Sequence, residues 1–218
     1  MRFRSIVLGK IMKLNKLLNL CVIGLVLSFS AQAENKGLEI AKKLNVANTG
    51  FSSESGTMEM ILKSGESSIT RVMDNKTLEV SSDEVKTLLE FKIPKDVRGT
   101  KLLTWSYDAK KDSQWIYLPA LRRVKKISSS SKTASFMGSE FTFEDLRKAS
   151  VGKFNYKFLS ENNDTWTFER TSKAKSGYSK EVVTASKKYM NPVSVDFYDR
   201  AGVLIKKASF EEFSEFTH

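Results

Sequence analysis

The residues that usually carry covalent chemistry are almost absent from this chain. The one histidine, His218, is its last residue, and the one cysteine, Cys21, lies in an apolar stretch near its start. A tetrahedral zinc site needs more nitrogen or sulfur ligands than these, and a Ser-His or Cys-His pair needs a placed base. Ser129 and Lys132 match S-x-x-K within "SSSK", but the serine run accounts for that spacing, and neither S-D-N nor K-T-G accompanies it. Glu144 with Asp145, and Glu211 with Glu212, could act on a glycosidic bond only if folded across a cleft. Adjacent acids on a solvated face explain them more simply. Phosphate and calcium loops are lacking. The expectation is a protein that is not an enzyme, with no cofactor and no metal.

Chemistry of a non-covalent kind is denser. Residues 115–127 read "WIYLPALRRVKKI": an aromatic strand, then Arg122, Arg123, Lys125 and Lys126 around Val124, followed by serines 128–131 and the cluster Phe136, Met137, Gly138, Phe141. Trp115 and Tyr117 share one strand face and Ile116 and Leu118 the other, so one of two apolar faces should line an interior. Pro119 ends the strand or marks an edge. The four cations protect that edge against aggregation, or form an anion-facing rim. Serines cannot bury a core and form a flexible connection. Phe136 and Met137 then offer soft apolar groups that adapt to varied shapes.

The elements that must position these residues follow from pattern. Residues 1–33 carry five basic residues and no acid, then an apolar run over 17–29 and Ala31-Gln32-Ala33. That order predicts a secretory signal peptide cut after Ala33, with translation starting at Met1 or Met12. Its core is too short for a membrane span. Leu20 precedes Cys21 where a lipid-attachment site takes a small residue, so Cys21 reads as discarded with the leader. Loss of the leader lowers the formal charge from +11 to about +6 and leaves one domain, residues 34–218, that must fold without disulfides. Export argues against nucleic acid as a partner.

Leu38, Ile40, Ala41 and Leu44 predict an amphipathic helix ending at Asn48 and Gly50. Beyond it come short alternating runs: 57–63, 86–93, 101–107, 113–119, 153–159, 165–170, 178–186, 193–199 and 203–210. Short polar connections make them antiparallel neighbours, roughly nine to eleven strands in a meander. The fold class expected is mainly β (α+β): a curled antiparallel sheet forming a half-open barrel. The N-terminal helix and a short second helix near 142–150, where Thr142 and Asp145 stand at capping spacing, should cover it.

"IPKDVRGTKLL" (93–103), "WIYLPALRRVKKI" (115–127) and "SFMGSEFTFEDL" (135–146) together resemble the outer-membrane lipoprotein-sorting superfamily, the LolA-like group, in its branch with W-x-Y-L-P and F-M-G-S signatures. The resemblance spans roughly 93–191 and implies a periplasmic half-barrel, lidded by helices, whose apolar hollow takes acyl chains of a lipid or lipoprotein. It also implies an arginine that controls the lid, for which Arg98 beside Gly99 is the candidate. On this basis the ligand-binding hollow and flap comprise Met58, Met60, Trp105, Trp115, Tyr117, Phe136, Met137 and Phe141. The rim toward headgroups or a partner comprises Arg98, Arg122, Arg123, Lys125 and Lys126. Expected partners are acyl chains and an inner-membrane transporter or pump, with membrane contact peripheral at most. The competing expectation is a non-enzymatic periplasmic accessory protein docking on an export pump or envelope complex through the basic rim.

Overall fold

The structure, a computed structural model, describes residues 32–64 and 66–211. The leader, Glu212 and His218 lie outside the described residues, apart from Gln32 and Ala33. Helix α1 covers 32–47 and is followed by eleven strands in chain order. Six form one antiparallel sheet: β1 (Ser53–Ser64), β2 (Ser67–Ser81), β3 (Glu84–Ile93), β4 (Lys101–Tyr107), β5 (Ser113–Leu118) and β6 (Arg123–Lys126). The other five form a second: β7 (Phe154–Glu161), β8 (Thr165–Ser172), β9 (Lys180–Ser186), β10 (Pro192–Tyr198) and β11 (Leu204–Ser209). Each strand pairs with its sequence neighbour, so each sheet is a simple meander. The sheets are not closed into a barrel, and the chain passes between them once, through residues 127–153.

Each sheet has its own core. On the second sheet, Ile40, Ala41 and Leu44 of α1 pack over Tyr156, Phe168, Val183, Val195 and Phe197. Their helical spacing makes one face, and each such side chain contributes about 1.5–3 kcal/mol through burial. Gly37 explains how the helix comes so near: a β-carbon there would stand 2.9 Å from the backbone nitrogen of Phe158. Asn48 closes the helix as its sequence promised, its side-chain amide donating to the carbonyls of Leu44 at 2.8 Å and Met190 at 2.7 Å.

On the first sheet no helix takes this role. Met73, Leu89, Phe91, Leu102 and Ile116 are covered by Val97, Phe136 and Phe143, two of which come from the long connection. The short second helix expected near 142–150 is a turn. Its capping contact does form, the Thr142 amide donating to Asp145 Oδ2 at 2.6 Å, but Asp145 and Glu144 are also taken by partners on the second sheet. Those long-range bonds hold the segment in irregular form, and the only regular pieces nearby are 3-10 turns at Pro119–Leu121 and Val151–Lys153.

Candidate functional site

Antiparallel register sorts the first sheet into two faces. Met58 lies opposite Met73 and Met60 opposite Arg71, and the same face continues through Phe91, Leu102 and Ile116. Residues 134–146 lie on it. Ser135 bridges to Thr142, the Phe136 amide donates to the Phe141 carbonyl at 2.7 Å, and Met137 and Gly138 at the tip have φ values of 52° and 75°. Phe136 is fully buried, 5.7 Å from the Phe91 ring and edge-on to Phe143 at 5.6 Å. It is the root of the flap, and half-buried Met137 is its tip.

Two sets of polar contacts hold the flap. At the tip, the Arg71 guanidinium donates to the Met137 carbonyl and lies 6.0 Å over the Phe91 ring. At the base, Asp145 accepts from Tyr178 Oη at 3.0 Å and from Lys206 Nζ at 2.6 Å, while Glu144 Oε1 accepts from the Gly177 amide at 2.8 Å. Gly177 is needed there, because a β-carbon would meet that oxygen at 2.8 Å. Asp112 of the first sheet's rim binds Arg147 and Lys153. Glu144 and Asp145 are thus structural acids whose side chains are nearly buried, joined to cations rather than set across a cleft. Burial drives the Tyr178 hydroxyl well above its ordinary range, which keeps it a donor to Asp145.

An open hollow of about 600 Å³ lies between α1 and the start of the second sheet. Leu38, Val46, Val151, Phe154 and Tyr156 give it apolar walls, and Glu34, Lys42, Asn45, Asn155 and Lys173 supply its polar lining. Burial pushes the Tyr156 hydroxyl up to about 12, so the wall it forms stays neutral. The volume falls within the ~300–1,000 Å³ of small-molecule sites.

Several predicted site residues lie elsewhere. Trp105, Trp115 and Tyr117 occupy the opposite face of the first sheet from Met58, Met60 and Phe136, since it is Leu102, Ile116 and Leu118 that turn toward the flap. The single hollow expected to hold all eight residues therefore divides. Phe141 points toward the second sheet, with Lys206 Nζ 5.8 Å from its ring. Arg98 does not reach the flap: its Nε donates to the Lys92 carbonyl at 3.0 Å within its own exposed turn. Arg122, Arg123, Lys125 and Lys126 are all exposed, the first in a left-handed turn and the others on edge strand β6.

A domain of a putative outer membrane lipoprotein-sorting protein from Vibrio parahaemolyticus superposes with a TM-score of 0.80 and 42% identity, over 84% of this chain and 80% of that one. This chain belongs to the outer-membrane lipoprotein-sorting, LolA-like superfamily. A DUF1329 family protein from Desulfovibrio piger matches with a TM-score of 0.76 and 31% identity, over 80% of this chain and 77% of that one. A LolA superfamily protein from Nitrosomonas europaea, at 16% identity and a TM-score of 0.60, shares the fold over 82% of this chain and 78% of that one. A family model described as "-like: Uncharacterized protein" matches residues 83–218. No curated protein sequence matches significantly.

In this LolA-like chain the residues that sequence reasoning missed are Arg71, Met73 and the α1 side of the hollow. Arg71 and Met73 sit in β2, a strand obscured by the polar run Asp74-Asn75-Lys76 in its middle. The signal was there in alternation: Ile69, Arg71, Met73, Asn75 and Thr77 share one face. The Arg71 Nε and the Asn75 Oδ1 are buried on it without partners. Among the described residues no helix is long and apolar enough to cross a membrane, and no acid, histidine or cysteine cluster could hold a metal.

Proposed function

We propose that the protein is a periplasmic carrier that shields the acyl chains of a lipid or lipoprotein in transit between envelope membranes or complexes. The observation that carries this reading is the open, largely apolar hollow of about 600 Å³ between α1 and the second sheet. A hydrocarbon chain fits such a wall and leaves a polar headgroup in water. Each buried methylene contributes about 0.8 kcal/mol, so ten supply roughly 8 kcal/mol before ordering costs. No covalent step is required, which suits the shortage of catalytic side chains.

The flap lies apart from that hollow and closes a second apolar region, on the first sheet. Met60 and Met137 pack there with adaptable side chains, and one contact, Arg71 to the Met137 carbonyl, ties the tip to β2. Arg71, and not Arg98, stands where it can hold that flap. Opening would break one charged hydrogen bond and expose the Met137 side of the first core, while Phe136 keeps the root in place. Titration of the chain from Glu34 onward with a fluorescent fatty acid should give saturable binding, and Leu38→Glu should abolish it while the fold persists. Non-saturable uptake, or uptake indifferent to Leu38→Glu, refutes the carrier reading.

The second reading, an accessory protein docked on an export complex, draws on the exposed cations of β6. Reversing Arg122 and Arg123 to Glu would then abolish capture of that complex and leave fatty-acid binding intact.

A further inference from the structure

The outer face of the first sheet has no part in the hollow or the flap. Register sets Lys86 beside Trp105 in one row and Leu88, Leu103, Trp115 and Lys126 in the next, with Tyr117 beside Val124. Trp105 stacks on Tyr107 at 5.6 Å and meets Trp115 at 6.4 Å. Three ammonium groups cap these rings: Lys86 is 3.9 Å from the Trp105 centroid, Lys110 is 4.0 Å from Tyr107, and Lys126 is 5.5 Å from Trp115. None of these aromatic residues belongs to either buried cluster, and all are half-buried. At the border, Leu121 and Val124 are 62% and 60% exposed among the β6 cations.

We propose that this face seats the protein on an anionic phospholipid bilayer. Indole and phenol rings suit the headgroup layer, and the Trp105 Nε1 is itself buried without a partner, so only the ring of that residue is offered to the bilayer. Lysines lying along such rings reach phosphates with their ends while their stems cover apolar surface. Charge complementarity favours this occupant. Lys86, Lys110 and Lys126, with Arg122 at the border, form no ion pair among the described residues, so their charge is free to meet an anionic surface, whereas Arg123 and Lys125 lie opposite Leu118 and Ile116 on the flap side. A protein partner fits less well, because the centres of protein interfaces are depleted of lysine, and all three ring-capping cations here are lysines. The inference stands apart from the carrier reading, since it concerns the face of the sheet that the flap does not cover.

The test uses the chain from Glu34 onward. It contains both buried clusters and lacks the apolar run over 17–29, which would bind membranes by itself. Trp166→Phe leaves Trp105 and Trp115 as the only tryptophans. Vesicles of phosphatidylcholine mixed with phosphatidylglycerol should bind this protein saturably, and pure phosphatidylcholine should not. Brominated acyl chains should quench its tryptophan emission, and added salt should release it. Lys86→Glu with Lys110→Glu should weaken binding by about tenfold or more, arginine at both positions should retain it, and fatty-acid uptake should be unchanged in either case. The proposal is overturned by equal binding to the two vesicle types, by unquenched emission, or by a folded charge-reversed variant that binds like its parent. Lipid selectivity and quenching are read on the unreversed face, so the proposal stands or falls even where that variant does not fold.

Discussion

At the scale of single residues, the flap separates into a structural root and a working tip. Phe136 fills the first core against Phe91 and Phe143, and truncation there creates a cavity in a packed interior. Phe136→Ala should cost about 3–5 kcal/mol in denaturant unfolding, and half-buried Met137→Ala distinctly less. Arg71→Met keeps most of the stem packing but frees the Met137 carbonyl. It should speed amide hydrogen exchange at Phe136 and Ser139, whose amides bond within the flap, while lowering stability by no more than about 1.5–3 kcal/mol, the range for hydrogen bonds to charged groups. Unchanged exchange would show that Arg71 does not hold the tip. Sequence showed the tip plainly, as Phe136, Met137 and Gly138 after a serine run, but could not show which arginine would meet it. That meeting spans 66 residues and depends on a strand whose polar middle hid its alternation.

Elements and their junctions carry a second set of consequences. Helix α1 meets β7 through Gly37 and through the ion pair Lys36–Glu161. Alanine at Gly37 would gain roughly 1 kcal/mol in helix preference, but its β-carbon would meet unyielding backbone at 2.9 Å. The clash decides the sign, and Gly37→Ala should lower the melting temperature. Hydrogen bonds from Lys36 and Lys187 hold the Glu161 carboxyl at about 2, below its ordinary 4.5. A depressed carboxyl stabilises the fold above its unfolded pKa and loses that contribution as pH falls through the native value. The melting-temperature gap between the parent and Glu161→Gln should therefore be full at neutral pH and close between about pH 4.5 and 2. A gap that persists to the acid end would show that the glutamate acts otherwise. The helix and nine of the strands were legible because their apolar residues repeat at helical or alternate spacing. Which face of β5 turns inward was not, since Trp115 with Tyr117 and Ile116 with Leu118 are both apolar pairs and only the covering flap chooses between them.

For the molecule as a whole, two sheets with separate cores are joined by one irregular connection, and buried ions make the joint. Lys206 and Asp145 retain only 10% and 4% side-chain exposure, so Asp145→Ala leaves a buried ammonium without its partner. Loss of one member of such a pair should cost about 3–5 kcal/mol and is measurable by denaturant unfolding. Sequence presented Glu144 and Asp145 as neighbours without purpose, because their partners are Gly177, in the β8–β9 connection, and Lys206, on β11. The joint also fixes where a ligand can enter, by keeping the flap over the first sheet and leaving the α1 side of the second sheet open. Photolabelling with a diazirine fatty acid, followed by peptide mapping, tests this most directly. Labels should fall within 32–47 and 151–156, and unlabelled fatty acid should suppress them. Labels confined to the outer face of the first sheet, or none that excess fatty acid displaces, would contradict an acyl-binding hollow.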